Sequence, residues 1–243
     1  MIKKRINVLG VGFDDLDMEE AAAAAMTLME RKNSAYVVTP NPEIVMLCRE
    51  NAELSKAVRE ASLVLPDGIG IIYGAKILGT PLKQKTPGID FAQKLFGLMS
   101  EKQMSVFLLG AKPGVAEMAE KNLKARYKGL RFVGTNDGYF TDDAPVIRKI
   151  NAASPDLLMV CLGAPKQELW MQKNAPMLKT GLMAGLGGSL DVFAGVAERA
   201  PEKWQKLGLE WLYRLKSEPS RAGRMKSLPK YVFAVIGQRI KNK

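Results

Sequence analysis

Short apolar segments alternate with amphipathic stretches along most of the 243-residue chain, and this alternation constrains the fold more than any other feature. The apolar segments lack strict polar–apolar alternation, which is typical of strands buried on both faces of a parallel sheet. The intervening stretches begin with helix caps, such as Asn41 before Pro42. The pattern predicts an α/β domain whose mostly parallel sheet is sandwiched by helices. The predicted strands are Ile6–Gly10, Ala35–Thr39, Ser62–Leu65, Val106–Gly110, Arg131–Gly134, Leu157–Leu162 and Gly181–Ala184.

The positive charge of the chain is concentrated near its C-terminal end. Lys and Arg number 36 against 25 Asp and Glu, a net charge of +11, and residues 199–243 contribute +9 of it. Apolar residues recur there at helical spacing, from Trp204 to Leu215 on one helical face and from Met225 to Ile236, where Pro229 starts or bends a second helix. We predict a core over residues 1–198 and a basic amphipathic helical appendage over residues 199–243.

Several functional classes are excluded by composition. The chain has no histidine, which rules out Ser–His–Asp and Cys–His catalysis and histidine metal sites. Cys48 and Cys161 lack CxxC spacing, so we expect two buried thiols in a reducing compartment.

No export signal and no run of about 18 apolar residues is evident, so we expect a cytoplasmic protein that does not span a membrane. Gly10-Val11-Gly12 lacks the third glycine of a dinucleotide-binding fingerprint.

Polar residues that follow the predicted strands are candidates for a functional site, because open parallel sheets bind ligands beyond the carboxyl ends of their strands. Asp67 in Pro66-Asp67-Gly68 is either a functional carboxylate or an ordinary turn residue. Thr39, Asn41 and Gln167 fall at the same edge, although each also fits a structural role: strand-end hydroxyl, helix cap and first-turn helix residue. Because all four follow strands, we expect them to converge.

Two further motifs have alternative interpretations. Gly110-Ala111-Lys112-Pro113-Gly114 follows an apolar strand, and its backbone amides either approach a diphosphate at a helix start or form a plain turn. Asp15 and Asp17 have the DxD spacing with which some sugar transferases hold a metal–diphosphate. Because the acidic Glu19 and Glu20 follow at once, we favour helix capping for this pair.

Longer motifs occur in a fixed order along essentially the whole chain. In these motifs the sequence resembles the WecG/TagA/CpsF family of bacterial glycosyltransferases, and its TagA-type members most closely. The resemblance implies a Rossmann-like sheet and an inverting transferase without metal or cofactor. That enzyme would move N-acetylmannosamine from its UDP donor to N-acetylglucosamine on undecaprenyl diphosphate, in wall teichoic acid or related cell-surface polysaccharide synthesis. The motifs include Thr39-Pro40-Asn41-Pro42-Glu43, Pro66-Asp67-Gly68, Pro87-Gly88-Ile89-Asp90, Gly163-Ala164-Pro165-Lys166-Gln167-Glu168, Gly187-Gly188-Ser189-Leu190-Asp191, Arg199-Ala200-Pro201 and Glu210-Trp211-Leu212-Tyr213-Arg214.

The resemblance also implies roles for single residues. Asp67 matches the general base, and a carboxylate suits that task in a chain without histidine. Lys85 stands where family members usually have Arg, and Asn136 where they often have His. Substrate-binding positions are Thr39, Asn41, Lys85, Gln167, Arg214, Arg221 and Arg224, the three arginines belonging to an appendage that closes over the site and reaches the membrane. Nucleotide-binding positions are Gly110, Ala111, Gly163, Lys166 and Asp191.

Other functions stay open at this point. A relative of the same family could transfer another UDP-hexose, such as N-acetylmannosaminuronic acid or glucose. The basic tail could instead bind nucleic acid, and a nicotinamide-dependent oxidoreductase is a third alternative. Basic and apolar faces that separate at helical spacing favour an anionic membrane surface over nucleic acid. We therefore expect a peripheral protein on the inner face of the plasma membrane and no nucleic-acid partner; the sequence leaves the oligomeric state open, a homo-oligomer included.

Overall fold

The computed structural model describes residues 5–217, 223 and 227–241, except for the side chains of Lys206, Arg214 and Ser217. Its strands are β1 (Ile6–Val8), β2 (Val11–Phe13), β3 (Ala35–Val38), β4 (Leu63–Val64), β5 (Ser105–Gly110), β6 (Arg131–Asn136), β7 (Leu157–Cys161) and β8 (Leu182–Gly185). The helices of the first half are α1 (Met18–Glu30), α2 (Pro42–Glu50), α3 (Ala52–Glu60), α4 (Ile69–Leu78), α5 (Gly88–Glu101) and α6 (Val115–Arg126). Those of the second half are α7 (Asp143–Ala153), α8 (Lys166–Asn174), α9 (Ser189–Phe193), α10 (Glu202–Lys206), α11 (Glu210–Ser217) and α12 (Ser227–Lys241), with a 3-10 turn at Ala175–Met177.

Six of these strands form one parallel sheet in the order β4-β3-β8-β7-β5-β6. Alternate residues of each strand enter opposite cores: Leu108 packs in the core formed with α1, α5, α6 and α9, whereas Leu109 packs with α2, α3, α7 and α8. Burial on both faces explains why the strands are continuously apolar in sequence. The predicted α/β fold with a parallel sheet between helix layers is confirmed.

The first predicted strand lies outside this sheet. Ile6–Val8 pairs antiparallel with Val11–Phe13, a strand that the sequence analysis missed. Leu9 and Gly10 join the two strands and both have positive φ, +54° and +94°, as the tight two-residue hairpin requires. The amide of Gly10 also donates to Asn7 Oδ1 at 3.0 Å. Gly10-Val11-Gly12 therefore belongs to a hairpin and not to a phosphate-binding loop.

The C-terminal region is helical but not as predicted. The single helical face from Trp204 to Leu215 is broken, because Gly208 adopts φ +72° between α10 and α11. The break lets the rings of Trp204 and Tyr213 meet edge to face, with centroids 5.9 Å apart. Pro229, predicted either to start or to bend the second helix, is the third residue of α12 as described.

Helix α12 packs on α2 and α4 of the core. Its Tyr231 and Val235 are buried, and Tyr231 Oη donates to the carbonyl oxygen of Gly70 at 3.2 Å. The division of the chain at residue 198 stays a prediction. Within the described parts of the chain, no helix combines the length and the apolar character that crossing a membrane requires.

Gly110 ends β5 at a place where only glycine fits. Its φ is +129°, and a β-carbon there would collide with the carbonyl oxygen of Cys161 on the neighbouring strand. We expect Gly110→Ala to lower the free energy of unfolding by about 2 kcal/mol or more, because backbone cannot move aside cheaply. The matched control is Gly97→Ala in α5, where a β-carbon meets nothing within 4 Å; it should leave stability unchanged or raise it by up to about 1 kcal/mol. Urea denaturation measures both, and equal stabilities for the two variants would contradict this account.

Candidate active site

One cavity of about 890 Å³ opens at the carboxyl edge of the parallel sheet. The loops after β3, β4, β5, β6, β7 and β8 contribute to its walls, as expected for an open parallel sheet. Residues from the C-terminal region complete it on the outer side. Its volume lies in the upper part of the range of about 300–1,000 Å³ that is usual for small-molecule sites. The C-terminal contributors are Gly208, Glu210, Trp211, Ser227 and Leu228.

Most of the site residues predicted from the sequence meet in this cavity. Gly110 lies just behind the wall, in β5, where it allows the close approach of Cys161. Arg221 and Arg224 lie outside the described residues, and for Arg214 only the backbone, in α11, is described. The predicted residues that line the cavity are Thr39, Asn41, Asp67, Lys85, Ala111, Gly163, Lys166, Gln167 and Asp191.

Asp67 sits in the turn between β4 and α4. Its backbone amide donates to the carbonyl oxygen of Pro40 at 3.1 Å, which ties the loops after β3 and β4 together. Gly68 follows with φ +88° and begins the helix. The pKa of the Arg199 guanidinium is raised above its ordinary value. Burial alone would lower this pKa, but the carboxylates of Asp90, Glu210 and Asp67 outweigh the effect of burial. The negative charge of Asp67 is the smallest of these contributions.

Thr39 and Asn41 keep the structural roles that the sequence indicated while lining the cavity. The Thr39 hydroxyl donates to the carbonyl oxygen of Gly185 at 3.1 Å, across the β3–β8 pair. Asn41 Oδ1 accepts from the amide of Ile44 at 3.0 Å and caps α2. These bonds fix both side chains at the cavity wall beyond the end of β3.

Two lysines bring positive charge to the cavity. Lys85 Nζ donates to the carbonyl oxygen of Gln205 at 3.3 Å, at the end of α10. Lys166 Nζ donates to the carbonyl oxygen of Gly138 at 3.0 Å and lies 5.0 Å from the centre of the Phe140 ring. Ammonium groups of this kind can bind phosphate oxygens as point charges.

Comparison with known proteins agrees with the sequence motifs. A profile of the glycosyl transferase WecG/TagA/CpsF family matches residues 6–243. The chain belongs to this family. It is 37% identical over 210 residues, 86% of this chain and 82% of the relative, to an N-acetylglucosaminyldiphosphoundecaprenol N-acetyl-beta-D-mannosaminyltransferase of Bacillus spizizenii. A Staphylococcus aureus protein of the same name is 33% identical over 233 residues, 95% of this chain and 92% of the relative. The family predicted from the motifs, and with it a glycosyltransferase activity, is confirmed.

The two positions at which the chain departs from the WecG/TagA/CpsF pattern differ in placement. Lys85 lines the cavity and contacts the C-terminal region. Asn136 ends β6, where its Nδ2 donates to the carbonyl oxygen of Asp137 at 2.9 Å, and it is not part of the cavity wall. The first departure therefore lies in the cavity wall, whereas the second lies two residues before Gly138, which lines the cavity.

Helix capping accounts for one of the two acids of the DxD motif in this family member. The Asp17 carboxylate accepts from the amide of Glu20 at 2.8 Å, while Glu20 accepts from the amide of Asp17 at 2.9 Å. This reciprocal capping box starts α1. Asp15 accepts from the amide of Lys83 at 2.7 Å. The interpretation of these acids as caps is confirmed for Asp17.

The predicted burial of both cysteine thiols is also confirmed. Burial raises the pKa of the Cys48 and Cys161 thiols to about 12. Both thiols are therefore protonated at neutral pH and poor nucleophiles.

Sequence reasoning missed an ion pair beside the cavity of this transferase. The Arg199 guanidinium donates to both carboxylate oxygens of Asp90, at 2.6 and 2.7 Å. The pair joins the start of α5 to the segment that leads into α10. Asp90 and Arg199 both lie in family motifs, but they are 109 positions apart. No local pattern in the sequence reports such a partnership.

Proposed function

We propose that this chain transfers N-acetylmannosamine from UDP-N-acetylmannosamine to N-acetylglucosamine carried on undecaprenyl diphosphate, a step of wall teichoic acid or related surface-polymer synthesis. The observation that carries the proposal is the convergence of Asp67 with Lys85 and Lys166 in one large cavity. The names of the relatives that match most of the chain supply the sugar and the lipid-linked acceptor.

The proposed reaction is a single displacement with inversion. Asp67 takes the proton of the acceptor hydroxyl as its oxygen attacks the anomeric carbon of the donor sugar. The bond between that carbon and the diphosphate oxygen breaks, and its electron pair leaves with UDP. Removal of this proton by a general base makes the hydroxyl oxygen a stronger nucleophile. The base therefore lowers the barrier to attack. A chain without histidine leaves a carboxylate as a natural choice for this base.

The departing UDP gains negative charge, which the site must stabilise. We assign this role to Lys85 and Lys166, and to Arg214, Arg221 and Arg224 of the C-terminal region, in place of a metal ion or another cofactor. Arginine binds phosphate through two parallel hydrogen bonds, and fixed positive groups in a cavity stabilise developing charge. The donor nucleotide is assigned to Ala111, Gly163, Lys166 and Asp191, at the ends of β5, β7 and β8, with Gly110 shaping the first of these loops.

Asp67→Asn should abolish transfer without weakening nucleotide binding. The amide keeps the shape of the side chain but removes the base, so we expect the transfer rate to fall by about a hundredfold or more. Affinity for UDP should stay within a factor of about three, since the base does not carry nucleotide binding. Transfer is measured by mass spectrometry with a synthetic lipid-linked acceptor, and UDP binding by calorimetry.

The matched control is Asp15→Asn. Like Asp67, Asp15 lies in a loop that leads into a helix, but it is not part of the cavity wall. It should transfer at the rate of the unmodified protein. If Asp67→Asn keeps more than half of that rate, the base assignment is wrong.

The membrane is proposed as the second partner, with the protein peripheral on the inner leaflet. Helix α12 exposes several apolar side chains, and Tyr73 and Ile77 of α4, the helix on which α12 packs, are exposed as well. The same helix carries basic residues, and a basic residue near an anionic leaflet adds roughly 1 kcal/mol of attraction. Apolar and basic groups side by side suit a lipid surface better than nucleic acid. The exposed apolar residues of α12 are Val232, Phe233, Ile236 and Ile240, and its described basic residues are Lys230, Arg239 and Lys241.

Replacing the most exposed apolar residues of α12 should weaken membrane binding. Phe233 and Ile240 are 74% and 68% exposed, so Phe233→Ser/Ile240→Ser removes apolar surface without touching the core. We expect at least about a tenfold loss of affinity for phosphatidylglycerol vesicles in sedimentation, since burying these side chains contributes about 1.5–3 kcal/mol each. Substitution is preferable to deletion because Tyr231 and Val235 of the same helix are buried.

The control for this experiment is Met118→Ser, which removes an apolar side chain that is 49% exposed on α6. It should leave vesicle binding as it is. Unchanged binding of the Phe233→Ser/Ile240→Ser variant would contradict the assignment of this face to the membrane.

A further inference from the structure

A buried carboxyl group lies directly behind the cavity wall. Glu168, in the first turn of α8, is fully buried, and its Oε1 accepts from Gln167 Nε2 at 2.8 Å. Its Oε2 has no hydrogen-bond partner among the described residues. Burial raises the pKa of this carboxyl, although the bond from Gln167 favours the ionised form. A buried carboxyl group with only one of its two oxygens hydrogen-bonded destabilises the folded state. A function for Glu168 would explain why the fold tolerates this cost.

Gln167 connects this carboxyl to the loop that follows β8. Its Oε1 accepts from the backbone amide of Gly187 at 2.9 Å. The side chain is only 3% exposed but lines the cavity. Gly185 packs so closely against it that a β-carbon there would lie 2.9 Å from Gln167 Nε2. Gln167 thus holds the loop that leads to α9 and to Asp191.

The two ends of the Gln167 amide have different partners. An amide side chain fits its cavity equally well after a half-turn, which exchanges Oε1 and Nε2, so its hydrogen-bond partners decide the orientation. Glu168 Oε1 is an acceptor, so it pairs with the Nε2 donor of Gln167. The Oε1 atom of Gln167 then accepts from the Gly187 amide. Neighbouring side chains on a helix normally point apart, so the contact between residues 167 and 168 is a specific arrangement.

We propose that Glu168 is a positioning residue for the transferase site: it fixes the orientation of the Gln167 amide and, through it, the loop at Gly187. Glu168 itself touches no ligand, because Gln167 stands between it and the cavity. The kinetic consequence rests on the proposed function, whereas the structural consequence at Gly187 does not. Small displacements of a positioned group cost up to about a hundredfold in rate.

Two variants of Glu168 separate orientation from packing. Glu168→Gln keeps an oxygen that accepts from Gln167, whereas Glu168→Leu removes it and leaves a side chain of similar size. We expect Glu168→Leu to lower kcat/KM about tenfold to a hundredfold, with faster hydrogen exchange at the Gly187 amide. Glu168→Gln should keep both quantities within a factor of about three. Glu101→Gln, an exposed position of α5, is the control and should match the unmodified protein.

A reciprocal exchange tests the hydrogen bonds themselves, with a readout that needs no activity. Gln167→Glu keeps an acceptor for the Gly187 amide but removes the donor to Glu168 and places two carboxyl groups in contact. When both are ionised, their repulsion displaces the side chain at position 167 from the Gly187 amide. In Gln167→Glu/Glu168→Gln the donor and acceptor are reversed, and the Gly187 amide keeps an acceptor. Exchange at Gly187, followed by NMR, should be fast in the single variant and slow again in the double one.

The outcomes distinguish this proposal from the proposed function. If Glu168→Leu keeps the Gly187 exchange rate and kcat/KM of the unmodified protein, or if the double variant exchanges as fast as Gln167→Glu, Glu168 is not a positioning residue. Should Glu168→Leu fail to fold, the reciprocal pair decides alone. An unmodified protein without transfer activity would overturn the proposed function, while the exchange rates at Gly187 would still report on Glu168.

Discussion

The parallel direction of the strands is the constraint on which the rest of the structure depends. Because β3, β4, β5, β7 and β8 all run the same way, their carboxyl ends meet at one edge. Residues as distant in sequence as Thr39 and Asp191 therefore line one cavity. The sheet holds this arrangement because both of its faces are buried under helices, which leaves the strands little freedom to shift register. The cavity is therefore lined largely by loops that start from the ends of these paired strands.

The C-terminal region depends on that edge in turn. The bidentate bond between Arg199 and Asp90 and the bond from Lys85 to Gln205 attach the segment around α10 beside the cavity. Helix α12 packs on α2 and α4, the two helices that follow β3 and β4. The helix that we assign to the membrane is therefore packed on elements whose starts line the cavity. Such a connection would keep the site close to an acceptor held in the same lipid surface.

The sequence predicted the features that are encoded locally. Continuous apolar runs indicated strands buried on both faces, and the position of Asp67, Thr39, Asn41 and Gln167 after strands was enough to place them at one edge. The hairpin of β1 and β2 was missed because three-residue strands carry no periodic signal. The break at Gly208 was missed because the apolar spacing continues across it. Lys85–Gln205, Arg199–Asp90 and Gln167–Gly187 depend on tertiary packing, which no local pattern reports.

The central claim is that this cavity joins N-acetylmannosamine to a lipid-linked N-acetylglucosamine. The most direct test incubates the unmodified protein with N-acetylglucosamine on a polyprenyl diphosphate and, in separate reactions, with each of a panel of UDP-sugars. The mass of the lipid product is then determined. The account predicts a product enlarged by one N-acetylhexosamine with UDP-N-acetylmannosamine, and little or none with UDP-glucose or UDP-N-acetylmannosaminuronic acid. A product formed only with another donor, or with none of them, would contradict it.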